Sequence, residues 1–411
     1  MYKKISSTFI VLSISMLSAF IVTIFLARKL SIADFGDYSL IKQIITNGVV
    51  IANLGLGQSY TRNYAKNNKG LFIFYILTAL ILSIMSLLLG LIIQEVYDYT
   101  FTQTLLIILS LFCGSITLYM SEVYRVNNRY TIAQFSESGW KILLLLAVII
   151  LYTLTKTITL DDILFLIFLS FLIPSLTFIN LLFKSFNEET QVTNLRIFIF
   201  TGLTFWAINS AGLLCGSIEK FAIPLILSKE ALGIYTSLSF VYVTYFSMIG
   251  SAIGYVLFPT LSKGEKVNWI KLSKSIGGII LISSVLFLIL GKHLTTIIYG
   301  GKYDEYNNWF FIISYIVLGI LQLVNSIFHF IVLASGKRKE LFIYLSIILV
   351  STGLFIGMIW ISNLLIGLSI KVLTINVIGI WLIKITGIIF LLYHIVKRRS
   401  QDINYFSIDM T

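Results

Sequence analysis

The stretch Lys3-Lys4-Ile5-Ser6-Ser7-Thr8-Phe9-Ile10-Val11-Leu12-Ser13-Ile14-Ser15-Met16-Leu17-Ser18-Ala19-Phe20-Ile21-Val22-Thr23-Ile24-Phe25-Leu26-Ala27 decides what kind of chain this is. Two lysines precede a run that carries no charge from Ile5 to Ala27. A bilayer core takes about 20 apolar residues in helix. A signal-peptide core is shorter, about 7–15 residues, and ends at a small-residue cleavage site. This run is longer and no such site follows it, so it reads as a retained first membrane helix.

The rest of the chain repeats the pattern. Of 411 residues, 58% are hydrophobic and 12% charged, against about 25% charged in soluble domains. With a mean hydropathy of +0.95, no globular core would hide this much apolar surface. That excludes a soluble enzyme, a nucleic-acid-binding domain and a disordered protein. Twelve spans are expected: Ile5–Leu30, Tyr38–Tyr60, Leu71–Ile93, Thr102–Tyr124, Tyr130–Leu154, Asp162–Phe183, Ile197–Leu227, Ala231–Leu257, Ile276–Ile298, Asn308–Ala334, Leu341–Ile361 and Ile370–Ile395. The runs are continuous rather than alternating, which argues for helices and against a transmembrane barrel. The expected fold class is an all-α polytopic membrane protein. Cys113 and Cys215 lie inside apolar runs and read as free thiols.

Lysine and arginine placement gives the orientation. With the N-terminus inside, the inner segments hold about nineteen of these cations and the outer ones about seven: Arg28, Lys29, Lys156, Lys229, Lys292, Lys302 and Lys371. Both termini are therefore expected in the cytoplasm. Much of the +12 formal charge is topology and implies no nucleic-acid partner. The longest polar connections, Lys184–Arg196 and Ser262–Lys274, leave no room for a catalytic extramembrane domain.

Two outer connections match. Leu30-Ser31-Ile32-Ala33-Asp34-Phe35-Gly36-Asp37-Tyr38 follows span one, and Leu227-Ser228-Lys229-Glu230-Ala231-Leu232-Gly233-Ile234-Tyr235 follows span seven. In each, the serine is placed to cap a helical turn, and the glycine would allow a sharp change of direction. The even number of spans between them makes the repeat parallel, six plus six. Two lobes are expected, 1–190 and 191–411, around a central cavity.

The stretch Ala27-Arg28-Lys29-Leu30-Ser31-Ile32-Ala33-Asp34-Phe35-Gly36-Asp37-Tyr38-Ser39-Leu40, with Leu54-Gly55-Leu56-Gly57-Gln58-Ser59-Tyr60-Thr61-Arg62, resembles the bacterial O-antigen and polysaccharide flippases of the Wzx type. These belong to the multidrug/oligosaccharidyl-lipid/polysaccharide (MOP) exporter superfamily. Ile218-Glu219-Lys220-Phe221 and Leu232-Gly233-Ile234-Tyr235 resemble that family's acid-base pair in span seven and its Gly-x-Tyr opening of span eight. The resemblance implies a two-lobed bundle that moves undecaprenyl-pyrophosphate-linked oligosaccharide repeat units from the cytoplasmic to the periplasmic leaflet of the bacterial inner membrane. Membrane lipid, a polysaccharide polymerase and a chain-length regulator are the implied partners; no cofactor is implied. Two departures stand out. Span eight lacks the arginines that the related lipid II flippase uses, and span one lacks the acid typical of the multidrug branch.

A pyrophosphate and its sugars cannot cross hydrocarbon bare, because desolvating an unpaired charge costs far more than thermal energy. A flippase must offer fixed cations and polar groups, so intramembrane ionisable residues are the place to look. Lys220 lies inside span seven next to Glu219. It reads as a phosphate-binding cation with an orienting or coupling carboxylate, or else both residues serve separate interhelical salt bridges. Lys384 is too deep in span twelve for its stem to reach the surface. It faces a cavity or is paired within the bundle. Arg28 and Lys42 flank the first outer connection and either hold phosphate or reach lipid headgroups. Gln43 and Asn47 make span two polar on one face, which Asn209 would extend. Glu137 and Lys141, at i,i+4, are coupling candidates, although that spacing favours a local ion pair. The rival classes are a membrane polysaccharide polymerase or glycosyltransferase, which would need larger outer loops, and a drug exporter of the same superfamily.

Overall fold

The computed structural model describes residues 2–64, 71–127, 129–185, 195–262, 267–335, 338–367 and 369–408. The expected loop cations Lys66, Lys69, Lys263, Lys266 and Lys337 lie outside them, as does most of the Lys184–Arg196 connection. In chain order the helices are α1 (Tyr2–Lys29), α2 (Ile32–Ala52), α3 (Leu56–Tyr64), α4 (Leu71–Tyr97), α5 (Phe101–Val126), α6 (Tyr130–Ser138), α7 (Trp140–Thr155), α8 (Leu160–Ser175), α9 (Thr177–Ser185), α10 (Leu195–Cys215), α11 (Ile218–Ile226), α12 (Lys229–Ser262), α13 (Trp269–Tyr299), α14 (Trp309–Ser335), α15 (Arg338–Leu365) and α16 (Ile370–Ile408). Among the described residues there is no strand.

Among the described residues, eleven helical segments are long and apolar enough to cross a membrane, twelve if the bent pair α6 and α7 is one span. The most apolar window of α13 buries only 11% of its residues, and that of α4 only 22%. Leu281, Ile282, Leu286 and Ile289 on α13 point outward. Water would not tolerate faces this apolar and this long; lipid does. The chain is a multi-pass membrane protein.

Many buried hydroxyls donate within their own helices. Thr23 donates to Ala19 O at 2.8 Å, Ser39 to Phe35 O at 2.8 Å and Ser170 to Leu166 O at 2.7 Å. This satisfies each hydroxyl without a partner helix, as an apolar surrounding demands.

The chain packs as two compact units, Met1–Leu214 and Cys215–Thr411. The expected lobes divide at 190/191; packing groups α10 with the first unit because α10 docks on the break between α2 and α3. In that unit, α5 lies against α2, α3, α4, α6 and α8. In the second unit, α12 packs along α14, and α14 and α15 pack on α16.

The repeated connections hold as helix starts. Ser31 Oγ accepts from Asp34 N at 3.0 Å and donates to Asp34 Oδ2 at 2.6 Å. Ser228 Oγ accepts from Ala231 N at 3.0 Å. Tyr38 and Tyr235 are equivalently buried one turn further on. The expected change of direction at the glycines is corrected: Gly36 and Gly233 are buried inside α2 and α12, and the chain turns before the serines. Once the cap has satisfied the first amide groups, nothing prevents the helix from running through a glycine.

Two breaks were not expected. Span two is interrupted at Leu54 (φ 48) and Gly55 (φ 67). A Cβ on Gly55 would stand 2.2 Å from Gly202 O of α10, so only glycine fits both the left-handed backbone and the close approach. Leu54 holds the same region with a side chain, at a cost of about 1–2 kcal/mol. The carbonyl of Ile51, near the end of α2, accepts from Trp206 Nε1 at 2.9 Å. A carbonyl exposed by a break inside hydrocarbon needs such a donor. Span five bends by 50° between α6 and α7 at Gly139, where a Cβ would meet Phe135 O at 2.4 Å.

Candidate functional site

In the first unit, α2 brings three of the expected residues together. Lys42, half-buried, donates from Nζ to Thr23 Oγ1 of α1 at 3.0 Å and stands 5.7 Å from the ring centre of Tyr38. The next residue, Gln43, donates from Nε2 to Asn47 Oδ1, one turn on, at 2.9 Å, and Asn47 is buried. The polar face of span two therefore exists and is already knitted by its own hydrogen bonds. Arg28 stands exposed at the end of α1, and Asn209 is half-buried in α10.

The expected local pair between Glu137 and Lys141 does not form. Glu137 on α6 binds Arg125 Nη2 of α5. The reason is the bend at Gly139: i,i+4 neighbours face each other only on one continuous helix, and these two residues lie on either side of a break. Lys141 instead rests 5.8 Å from the ring centre of Trp140.

In the second unit, a polar cluster forms inside the bundle. Glu219, in the first turn of α11, is 2% exposed, and Lys384, midway along α16, is 3% exposed. The two act on each other electrostatically. Among the described residues, Lys384 makes no ion pair within 4.0 Å. Its ammonium stands 4.6 Å from the ring centre of Trp381, one turn earlier, and the buried Cys215 thiol acts on it electrostatically. The ring face is attractive to a cation, by about 0.5–2 kcal/mol, but it supplies no counter-ion at contact distance, and Glu219 acts on the charge only from further away. Lys220 is half-buried where Glu219 is fully buried, as expected of neighbours turned about 100° apart on a helix.

Sequence reading did not join the further members to this cluster. Cys215, a free buried thiol, lies 3.8 Å from Ser351 Oγ. His329 Nδ1 is 2.7 Å from the Tyr344 hydroxyl, and the imidazole feels Lys384. Tyr235 and Tyr315, rings 5.6 Å apart edge to face, close the cluster near Glu219. Only the Trp381–Lys384 spacing was legible in one stretch; the others come from α10, α12, α14 and α15.

The cluster places a buried cation and a buried carboxylate in a membrane bundle whose first unit carries a polar helix face. The model of the family described as "polysaccharide biosynthesis protein" matches residues 1–265. The chain belongs to the polysaccharide biosynthesis protein family. No curated protein matches this family member by sequence. Among solved structures, it resembles the lipid II flippase MurJ in an inward closed conformation, with a TM-score of 0.69 and 14% identity over 94% of this chain and 87% of that one. It is also similar to an inward-facing multidrug resistance MATE family transporter of the MOP superfamily: TM-score 0.65, 16% identity, 96% of this chain and 99% of that one. A MOP superfamily transporter from Pyrococcus furiosus, described as having a binding pocket of reverse polarity, gives a TM-score of 0.65 at 15% identity, covering 96% of both chains. The polysaccharide biosynthesis family member thus has the MOP superfamily fold.

Proposed function

We propose that this chain is a flippase. It moves undecaprenyl-pyrophosphate-linked oligosaccharide repeat units, of O-antigen or capsule, from the cytoplasmic to the periplasmic leaflet of a bacterial inner membrane by alternating access. Both termini are cytoplasmic, and the two six-span halves, 1–190 and 191–411, are its working lobes. Family membership and a fold similar to MurJ and MATE transporters support this reading.

The observation that carries it is Lys384: a cation 3% exposed, midway along a membrane helix, with no acid at ion-pair distance among the described residues. A charge kept in such a place at a cost of several kcal/mol has a use beyond packing. Lys384 and Lys220 receive the pyrophosphate or acidic sugars, Arg28 and Lys42 do so in the first unit, and Gln43, Asn47 and Asn209 bind sugar hydroxyls. Glu219 orients the cations, and Glu137 and Lys141 serve coupling. A membrane potential negative inside favours outward movement of an anion by about 2.3 kcal/mol per charge per 100 mV. A polymerase and a chain-length regulator receive the exported units.

The test is the fate of lipid-linked units after deletion of the gene. Single units accumulating on the inner leaflet support a flippase. Unpolymerised units on the outer face would mean a polymerase, and unchanged glycan with altered drug sensitivity would mean a drug exporter.

A further inference from the structure

At one end of the first unit, two broken spans meet a single arginine. Thr61 of α3 shares its one Oγ1 hydrogen between Gly57 O, a turn back on α3, and Glu122 Oε2 of α5, each at 3.2 Å. The other oxygen of that carboxylate, Oε1, accepts from Arg125 Nη1 at 2.8 Å. The second arm of the same guanidinium, Nη2, reaches Glu137 of α6. The chain of bonds therefore runs from α3 through the end of α5 to α6. Each of its end segments is separated from the rest of its span by a backbone break, α3 by Leu54–Gly55 and α6 by Gly139. The approach of α3 to α5 is close: a Cβ on Gly57 would stand 2.8 Å from Glu122 Cγ.

We infer that Arg125 is a positioning residue that couples the half-helices α3 and α6, so that they shift together about their two breaks. A guanidinium suits this role, since its planar fork holds two carboxylates at fixed angles where an ammonium would hold them loosely. The exposure of the partners fits a coupling that opens. The side chains of Arg125 and Glu137 are 38% and 35% exposed, whereas that of Glu122 is 11% exposed. Water can replace the outer contact at little cost, while the inner carboxylate stays tied to its helix. Ser59 of α3 also donates to Phe198 O of α10 at 2.5 Å, a tie that involves no part of the arginine network. The inference concerns the first unit alone and does not depend on the cargo.

Coupling is reciprocal, and that makes it testable by hydrogen–deuterium exchange on the full-length protein in detergent or nanodiscs. Thr61→Val alters only the α3 end of the chain of bonds. It is expected to raise exchange in residues 130–138 at least threefold as well as in 56–64. Glu137→Gln, at the other end, is expected to raise exchange in 56–64 by a similar factor. Arg125→Gln should raise both segments about tenfold, with α8 unchanged. Ser59→Ala is the control and should affect 56–64 only. If Thr61→Val leaves 130–138 unchanged, or Glu137→Gln leaves 56–64 unchanged, the two half-helices are independent and the inference is overturned. Those two variants decide the matter even if Arg125→Gln does not fold.

Discussion

Lys384 and Trp381 lie one helical turn apart on α16, with the ammonium 4.6 Å from the indole ring centre. The pair fixes where the cation points without neutralising it. An ion pair would bind the lysine to one partner and raise the cost of handing it to a ligand. A ring face holds it weakly and leaves its hydrogen-bonding capacity available.

That relationship separates transport from stability. Lys384→Met keeps an unbranched side chain one heavy atom shorter and removes the charge. Removing a buried cation that no acid contacts relieves its desolvation cost, which offsets the lost attraction to the more distant Glu219. The melting temperature should therefore hold or rise, while export of lipid-linked units falls at least tenfold at unchanged protein level. Normal export by this variant would remove Lys384 from the mechanism. The same assay on Lys220→Ala is expected to abolish export while the protein still inserts.

Glu219 is tested through its neighbour. Glu219→Gln takes the negative charge away from a buried lysine that lies within its field. We expect a loss of about 1–3 kcal/mol in unfolding free energy, below the value for a contacting pair. Adding Lys384→Met should recover part of that loss. A double mutant as unstable as the sum of the two single ones would mean that the residues do not interact.

The break in span two has its own signature. Trp206→Phe removes one of two donors to Ile51 O, Leu54 N at 3.3 Å being the other, and should cost about 0.5–1.5 kcal/mol. Gly55→Ala should cost at least as much, because its Cβ meets a backbone oxygen of α10 and the positive φ is unfavourable besides. Thermal unfolding in detergent reads both; no change for Gly55→Ala would mean that α2 and α3 adjust freely at that point.

Orientation is open to a labelling test. Cys113 and Cys215 are both buried, so background reaction should be low. A cysteine at Lys302 should react with an impermeant maleimide in intact cells, and one at Lys271 only after permeabilisation. The reverse pattern would invert the topology.

The span count, the helical class and the capped starts at Ser31 and Ser228 were legible because each depends on residues within one stretch. Hydropathy summed over about 20 residues decides membrane insertion, and a cap needs a side chain three residues from its donor. The family resemblance was legible for the same reason: its motifs around Arg28–Leu40 and Ile218–Phe221 are contiguous. The broken spans were not legible as breaks, since Leu54-Gly55 and Gly139 resemble the many glycines that helices such as α2 and α12 carry without interruption.

By itself, then, the sequence determined that this chain crosses the membrane many times as helices, and where ionisable groups sit along those helices. Only the tertiary structure decided who meets whom. Glu137 turned to Arg125 instead of Lys141 because a backbone bend rotated one helix segment against the next. Lys384 found Cys215 and His329 from helices distant in sequence. Burial energy is nearly blind to a helix's rotation as long as an apolar face meets lipid. The partners of each polar side chain are set by packing between helices, which no single stretch encodes.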